Sequence, residues 1–322
     1  MKHVSILFRS KCWNVFLLLC IALPSLAQKE FKIDQVSVVN VGDGRFLYRD
    51  LMTEKPLNGE HRIIDGYHSA YILASFKDGF YDGKYEEHLD NILINEGVYK
   101  DGRKNGLFKI YSKFDGKLKE EKSYKEGKLN GTSKTFFTDG KIESEKNYRM
   151  GKEDGKYSSI FTFGAPHVLG SYKNGQKNGR WTEIAESGDT IVIETYLNGK
   201  EEGLHVSYSG ETGMRTKEYY LKNDRKDGIY REYDLKNGEL KYEATYQFGR
   251  LHGKARQLVV DNRFDYWETS TYVNGRQNGP FESRYVKNNK LRECGEYKNG
   301  HRVGRWKLYT IDGKLEREWD EN

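Results

Sequence analysis

The chain has 322 residues, of which 36% are hydrophobic, 14% aromatic and 32% charged, and its formal net charge is +6 at pH 7. Basic and acidic residues are interspersed, as in the segment KLKEEKSYKEGK, so they form no basic stripe of the kind that binds nucleic acid. The composition therefore argues against a nucleic-acid partner and is typical of a mixed, solvated surface.

The N-terminal residues 1–27 are predicted to be a secretory signal peptide. Basic residues precede an apolar run over residues 15–23, and a small residue, Ala27, marks a cleavage site. The run is shorter than the about 20 apolar residues that cross a bilayer, so we expect no transmembrane anchor. We expect a periplasmic or extracellular protein cleaved near Ala27. Lipidation at Cys20 is the alternative, although Leu19 stands where such signals favour a small residue.

Residues 28–54 are predicted to form an N-terminal capping hairpin. The segment QVSVVNVGDGRFLY reads as a strand, a Gly-Asp-Gly turn and a second strand. Terminal units of a repeat array cover the apolar side chains of the first regular unit. We therefore expect this hairpin to cap the array that follows.

Residues 55–322 contain a glycine pattern that returns every 23–26 residues. The decapeptides YKNGQKNGRW and YKNGHRVGRW, which stand 125 residues apart, are its two clearest copies. The marker glycines are Gly59, Gly83, Gly106, Gly131, Gly155, Gly179, Gly203, Gly228, Gly253, Gly279 and Gly304. The GxxxG pairs singled out as structural are Gly102 and Gly106, Gly127 and Gly131, Gly151 and Gly155, Gly175 and Gly179, Gly199 and Gly203, and Gly300 and Gly304. A fixed period of this length indicates a repeat array.

Each repeat is predicted to be one β-hairpin. Two runs of strand length flank Asp115-Gly116, a pair favoured in tight turns whose two central residues both have positive φ. The GxxxG element then links one hairpin to the next. The predicted fold is all-β, an elongated single-layer antiparallel β-meander or solenoid of about eleven hairpin repeats.

Aromatic residues recur at fixed offsets from the marker. The aromatic residues that stand seven positions before the marker are expected to form the core. The aromatic residues two positions after the marker and those five positions after it are an odd number of residues apart. They therefore lie on opposite faces of the sheet unless a bulge intervenes. Tyrosine is enriched in binding hot spots. The candidate partner-binding aromatics, five residues after the marker, are Tyr111, Phe136, Tyr208, Tyr233 and Tyr309.

The pattern YxxGxxxG followed by G-x-W/Y/F-x-x-Y resembles MORN-variant repeat proteins over residues 55–318. Bacterial proteins of this kind include exported ones, and some are labelled antitoxins of the YwqK type. The resemblance implies a repetitive antiparallel sheet with a binding or scaffolding role and supplies no catalytic residues. The period here is one or two residues longer than in eukaryotic MORN repeats, which have been linked to phospholipid contacts. The resemblance therefore gives only weak support for lipid binding.

The sequence contains no motif that predicts catalysis. HExxH and GxSxG are absent, and no helix follows the glycine loops to offer a phosphate site. Cys294 takes a repeat position held elsewhere by glutamate, as at Glu121, which indicates a repeat variant rather than a nucleophile. We expect no enzymatic activity, no cofactor and no metal.

The predicted function is a protein-protein interaction scaffold or an immunity/antitoxin-like binding protein. The alternative is a module that binds glycan, peptidoglycan or envelope lipid, because aromatic side chains also stack on sugars. A hydrolase with an unrecognised site is the third reading.

Overall fold

The structure is a computed structural model that describes residues 29–321. The predictions of a signal peptide, of cleavage near Ala27 and of lipidation at Cys20 lie outside these residues. The described part contains 28 strands and one 3-10 turn, Ile33–Gln35, and 26 of the strands belong to a single sheet. The predicted all-β class is confirmed.

The strands follow one another closely along the chain. The first ten are β1 (Lys29–Lys32), β2 (Val36–Asn40), β3 (Phe46–Asp50), β4 (Gly59–Asp65), β5 (Ala70–Lys77), β6 (Phe80–Leu89), β7 (Ile92–Lys100), β8 (Arg103–Lys104), β9 (Gly106–Tyr111) and β10 (Leu118–Lys125). The next nine are β11 (Lys128–Phe136), β12 (Ile142–Arg149), β13 (Lys152–Ile160), β14 (Pro166–Lys173), β15 (Gln176–Lys177), β16 (Gly179–Ile184), β17 (Thr190–Leu197), β18 (Lys200–Glu201) and β19 (Gly203–Tyr208). The last nine are β20 (Arg215–Lys222), β21 (Arg225–Tyr233), β22 (Leu240–Gln247), β23 (Arg250–Val259), β24 (Tyr266–Val273), β25 (Arg276–Tyr285), β26 (Leu291–Lys298), β27 (His301–Tyr309) and β28 (Leu315–Glu321).

The sheet is an open meander. From β4 to β28 each full-length strand pairs antiparallel with the next one, and β1 adds to β4 as a parallel edge strand. Strands β8, β15 and β18 are short pieces separated by one residue from the strand that follows. At about 4.8 Å per strand, the sheet measures on the order of 100 Å along its length. This arrangement confirms the elongated, single-layer β-meander.

The GxxxG element forms a tight turn and a bulge. Lys125 pairs with Lys128, and the two residues between them, Glu126 and Gly127, have φ of 51° and 79°. Positive φ at both central residues gives the two-residue turn that matches the twist of a hairpin. Four residues later, at Gly131, φ is 104° and the register between β10 and β11 shifts. All eleven markers have positive φ, which residues with a Cβ adopt only with strain.

The prediction of a two-residue turn at Asp115-Gly116 is wrong in its geometry. Gly116 has a positive φ of 69°, whereas Asp115 does not. The loop is longer, and the Gly116 N–H donates to the Ser112 carbonyl oxygen at 2.8 Å. The Asp115 carboxylate accepts from the Lys117 N–H at 3.3 Å, a local bond that aspartate forms readily in turns. Both connections in a repeat are therefore hairpins, and the tight one lies at GxxxG.

Strands β2 and β3 form a separate two-stranded sheet at the N-terminal end. The Tyr48 ring on β3 lies 5.4 Å from the Phe76 ring and 4.7 Å from the Tyr81 ring, both on the long sheet. A Cβ on Gly79 would lie 2.5 Å from Leu47 Cδ1, so the hairpin sits directly on the first repeat. The buried cluster at this end contains Phe31, Val36, Leu57, Ile63, Ala74, Phe76, Tyr85 and Phe108.

Candidate binding surface

The two faces of the long sheet carry different side chains, because successive residues of a strand point to opposite faces. We call one of them the ring face, since it carries the residue two places after each marker. Phe108 and Trp306 are 1% and 0% exposed there, although the sheet is one layer thick. The rings at this position belong to His61, Tyr85, Phe108, Tyr157, Trp181, His205, Tyr230, Phe281 and Trp306.

Ring-face side chains cover one another. The Phe108 ring lies edge-on to Tyr99 and Tyr124, with centroids 5.2 Å and 5.4 Å away. Lys104 Nζ lies over Phe108 and Tyr124, at 4.7 Å and 5.2 Å from their centroids. Burial raises the pKa of Tyr99 to about 12. The position of Lys104 in the repeat also holds Lys177, Lys226 and Arg302, each over a ring. The ring face is therefore a packed layer.

Three glycines outside the GxxxG element make room for the largest rings. A Cβ on Gly295 would lie 2.2 Å from Trp306 Cδ2, closer than any real contact. The pairs are Gly97 with Phe108, Gly170 with Trp181 and Gly295 with Trp306. Each glycine precedes its ring by 11 residues. This spacing is a signal in the sequence that the repeat pattern described above does not include.

The opposite face, which we call the ladder face, carries a row of charges that alternate in sign. On consecutive strands the row reads Glu96, Lys109, Glu121, Lys134 and Glu145, each in register with the next. Lys109 Nζ is 3.4 Å from the Glu96 carboxylate, and Lys134 Nζ is 3.8 Å from that of Glu145. Opposite charges facing each other across strands stabilise a sheet modestly.

The same row is charged again nearer the C-terminus, as Glu218, Arg231, Glu243 and Arg256. Arg231 nitrogens lie 2.6 Å from the carboxylates of both Glu218 and Glu243, and Arg256 Nε lies 3.3 Å from Glu243. Burial acts to raise the pKa of Glu218, but Arg231 and Arg215 outweigh it and hold the pKa below its ordinary value. These charges satisfy one another.

Between the two charged stretches the row contains no charge. It reads Ser158, Leu169, Thr182, Ile193 and Val206 on consecutive paired strands, and we call these five residues the central patch. Leu169 is 40% exposed, whereas Val206 is 4% exposed. The patch is an apolar and hydroxyl-bearing stretch of five residues between two charged stretches of the row.

An open depression of about 470 Å³, which we call the trough, overlaps the central patch at Ser158, Leu169 and Thr182. Lys156, Ser171 and Arg180 line it together with Leu169 and Glu145. Within residues 29–321, neither Lys156 nor Arg180 has a carboxylate oxygen within 4.0 Å. The Glu145 carboxylate in the same wall is paired with a lysine of the ladder. The trough therefore presents two cations without an ionic partner in the described chain.

A depression of about 620 Å³ lies at the equivalent place near the C-terminus, lined by Gly295 and Arg305. Here Arg305 Nε lies 3.2 Å from the Glu318 carboxylate and 3.7 Å from that of Asp320. The two decapeptides thus place an arginine at equivalent positions. Only the second arginine is engaged by carboxylates of the described chain.

The five candidate aromatics are half-buried, and their strands place them on the ladder face. Tyr111 donates to the Glu96 carboxylate at 2.6 Å, and burial followed by this bond raises its pKa. Tyr208 and Tyr233 are brought together through Arg215, which pairs in register with Tyr208 and lies 5.8 Å from the Tyr233 ring. The remaining two, Phe136 and Tyr309, lie in other repeats, so the five form no single cluster.

Cys294 lies in the ladder row, in register with Glu282 and Lys307. Its thiol replaces a carboxylate in the alternating series. Burial raises the pKa of the thiol, which disfavours the reactive thiolate.

Residues 29–321 include no group of three or more His, Cys, Asp or Glu side chains arranged to hold a metal. No helix in this part of the chain has the length and apolar character needed to span a membrane.

No protein-family model matches the chain, and no curated protein matches it. A similar chain among solved structures belongs to the crystal structure of TcdB2-TccC3-Cdc42, with 10% sequence identity and a TM-score of 0.16. The match covers 79% of this chain and 17% of that one, so the chain corresponds to a small part of that protein's length.

Proposed function

We propose that this is a non-enzymatic, exported repeat protein whose ladder face binds another protein, as a scaffold or an immunity/antitoxin-like factor. The observation that supports the proposal is the central patch. On either side of it, cations and carboxylates satisfy one another across the strands. In the patch, partly exposed apolar and hydroxyl groups replace them. An apolar centre bordered by polar residues is typical of protein interfaces.

The residues that border the patch are of the types that contribute most to binding. Tyr208 stands two residues after Val206 on β19 and lies on the same face. Arg215 is its partner across the strand pair. Tyrosine and arginine are enriched among residues whose truncation weakens binding most. We therefore place the interface over the patch and its C-terminal border.

The sheet would present this surface with little reorganisation. Tight turns at GxxxG and packed rings fix the strands before a partner arrives. A preformed surface loses less conformational entropy on binding, which favours affinity.

The glycan alternative requires open ring faces on which sugars can stack. On the ring face these positions are occupied. Trp306 is 0% exposed, and Arg302 lies 4.0 Å from its centroid. Protein binding through the ladder face is therefore the better supported function.

Affinity capture from envelope fractions tests the proposal with two matched variants. Leu169→Asp introduces a charge into the patch, and Leu107→Asp does so at a strand residue of similar exposure, 44% against 40%. We expect the wild-type chain and Leu107→Asp to recover the same protein and Leu169→Asp to lose it. Equal recovery by all three chains, or no reproducible partner, would contradict the proposal.

A further inference from the structure

The trough brings together two cations that differ from those of the charged stretches of the ladder row. Along the ladder row Lys109, Lys134 and Arg231 each lie within ion-pair distance of a carboxylate. Lys156 and Arg180 do not have such a partner within the described residues. A cation that gains a carboxylate partner forms a charge-assisted hydrogen bond, which is roughly twice as strong as a neutral one.

Other groups in the trough complete a surface suited to a peptide. Ser171 lies between the two cations, on the strand between theirs, and its Oγ already donates to the Asn178 carbonyl oxygen at 2.5 Å. Leu169 offers exposed apolar surface along the same wall. The trough therefore combines two positive charges with an apolar contact beside them.

The spacing of the cations selects a ligand geometry. Lys156 is on β13 and Arg180 on β16, with β14 between them, so their backbones are about 10 Å apart. In an extended polyproline-type chain, side chains three residues apart point the same way and lie about 9 Å apart. Two carboxylates at this spacing would each meet one cation.

We propose that the trough binds an extended acidic segment of a protein partner, with one carboxylate on Lys156, a second on Arg180 and an apolar side chain against Leu169. This inference rests on the proposed protein-binding function and names the chemistry of the partner. Charge complementarity commits the site to an acidic peptide.

The second decapeptide supplies an internal control. Arg305 occupies the position of Arg180 but is held by Glu318 and Asp320. Its guanidinium already has carboxylate partners, and Lys254 alone among the cations lining the equivalent depression has none within the described residues, so that depression should not hold a pair of carboxylates.

Display selection of random dodecapeptides on the immobilised full-length chain tests the inference. We expect enrichment of peptides with two acidic residues three positions apart. Binding of a labelled selected peptide should weaken at least tenfold in Lys156→Ala/Arg180→Ala and remain unchanged in Arg305→Ala. The charge reversal Lys156→Glu/Arg180→Glu should select basic peptides instead. Circular dichroism checks that each variant keeps its sheet.

The outcomes separate this inference from the function on which it rests. Selected peptides without acidic enrichment, or with equal affinity for the double alanine variant, would overturn the acidic-segment inference. If those peptides still lost binding in Leu169→Asp, protein binding at the patch would stand. Selection of no peptide at all would overturn the inference, while the capture experiment would still decide the function.

A competition experiment distinguishes a peptide from an anionic glycan. A sulfated oligosaccharide should displace the peptide only at concentrations well above the peptide's Kd. Tighter binding of the oligosaccharide, lost in the double alanine variant, would reject the peptide as occupant.

Discussion

The ring face and the ladder face are built from alternate residues of the same strands, yet they are satisfied in different ways. On the ring face, Trp306 is fully covered by its neighbours. On the ladder face, the cations of the two charged stretches pair with carboxylates across strands, whereas Lys156 and Arg180, beside the central patch, have no carboxylate within 4.0 Å in the described chain. A single-layer sheet can thus use one face for its own cohesion and leave part of the other for recognition.

The largest expected effect of a substitution is on the ring face. Trp306→Ala should destabilise the C-terminal repeats by about 3–5 kcal/mol, because it leaves a cavity among packed rings. Tyr309→Ala, on the ladder face of the same strand, should cost about 1 kcal/mol. Hydrogen exchange of β26 to β28 measures both. Equal losses of protection in the two variants would contradict the claim that the ring face contributes more to stability than the ladder face.

The next largest effect concerns the glycines under the rings. Gly295→Ala should cost about 1–3 kcal/mol, because the new methyl group would displace the Trp306 ring. Gly66→Ala is the control, since a methyl group there would meet nothing within 4 Å and the φ of Gly66 is not positive. Denaturant unfolding compares the two variants. A neutral Gly295→Ala would show that the ring face repacks easily.

The ladder face should contribute less, and its contribution should depend on pH. Glu218→Gln should cost about 1–2 kcal/mol near neutral pH, because its partner Arg231 is about one-third exposed and solvent screens the pair. The folded pKa of Glu218 is lowered, so its contribution is present above the ordinary carboxyl pKa of 4.5 and is lost as the pH falls through the folded pKa. Unfolding of both chains at about pH 7 and pH 3 measures this. If the difference in free energy of unfolding between the two chains stayed constant or grew at pH 3, the stabilising role given to the Glu218 carboxylate would be contradicted.

The smallest expected effect on stability is at the trough. Lys156→Ala/Arg180→Ala should change the free energy of unfolding by less than about 0.5 kcal/mol, since neither side chain has an ionic partner to lose within the described residues. Thermal unfolding of the double variant provides the measurement. A large destabilisation would mean that these cations serve the fold and would remove them as binding residues.

Much of the fold was predictable from the sequence, because the GxxxG period reports local backbone requirements. Gly127 and Gly131 have positive φ, and glycines at the equivalent positions recur in the sequence once per hairpin repeat. The turn geometry was less predictable. Asp115-Gly116 suits a two-residue turn, but the side chain of Asp115 bonds locally and the loop is longer.

The candidate site was predictable only in part. Strand parity separates Tyr111 and its equivalents from the rings two residues after the marker, but it does not say which of them meet. The pairing of Tyr208 with Arg215 depends on the register between β19 and β20, and the pairing of Glu218 with Arg231 depends on the register between β20 and β21.

The sequence by itself therefore determined the repeat, its strands and the alternation of its side chains, since turns and parity are properties of neighbouring residues. Only the tertiary structure decided which charges face each other, which glycines lie under the large rings and where the ionic row is interrupted. Those features arise from pairing between strands, whose register depends on every bulge and loop along the sheet.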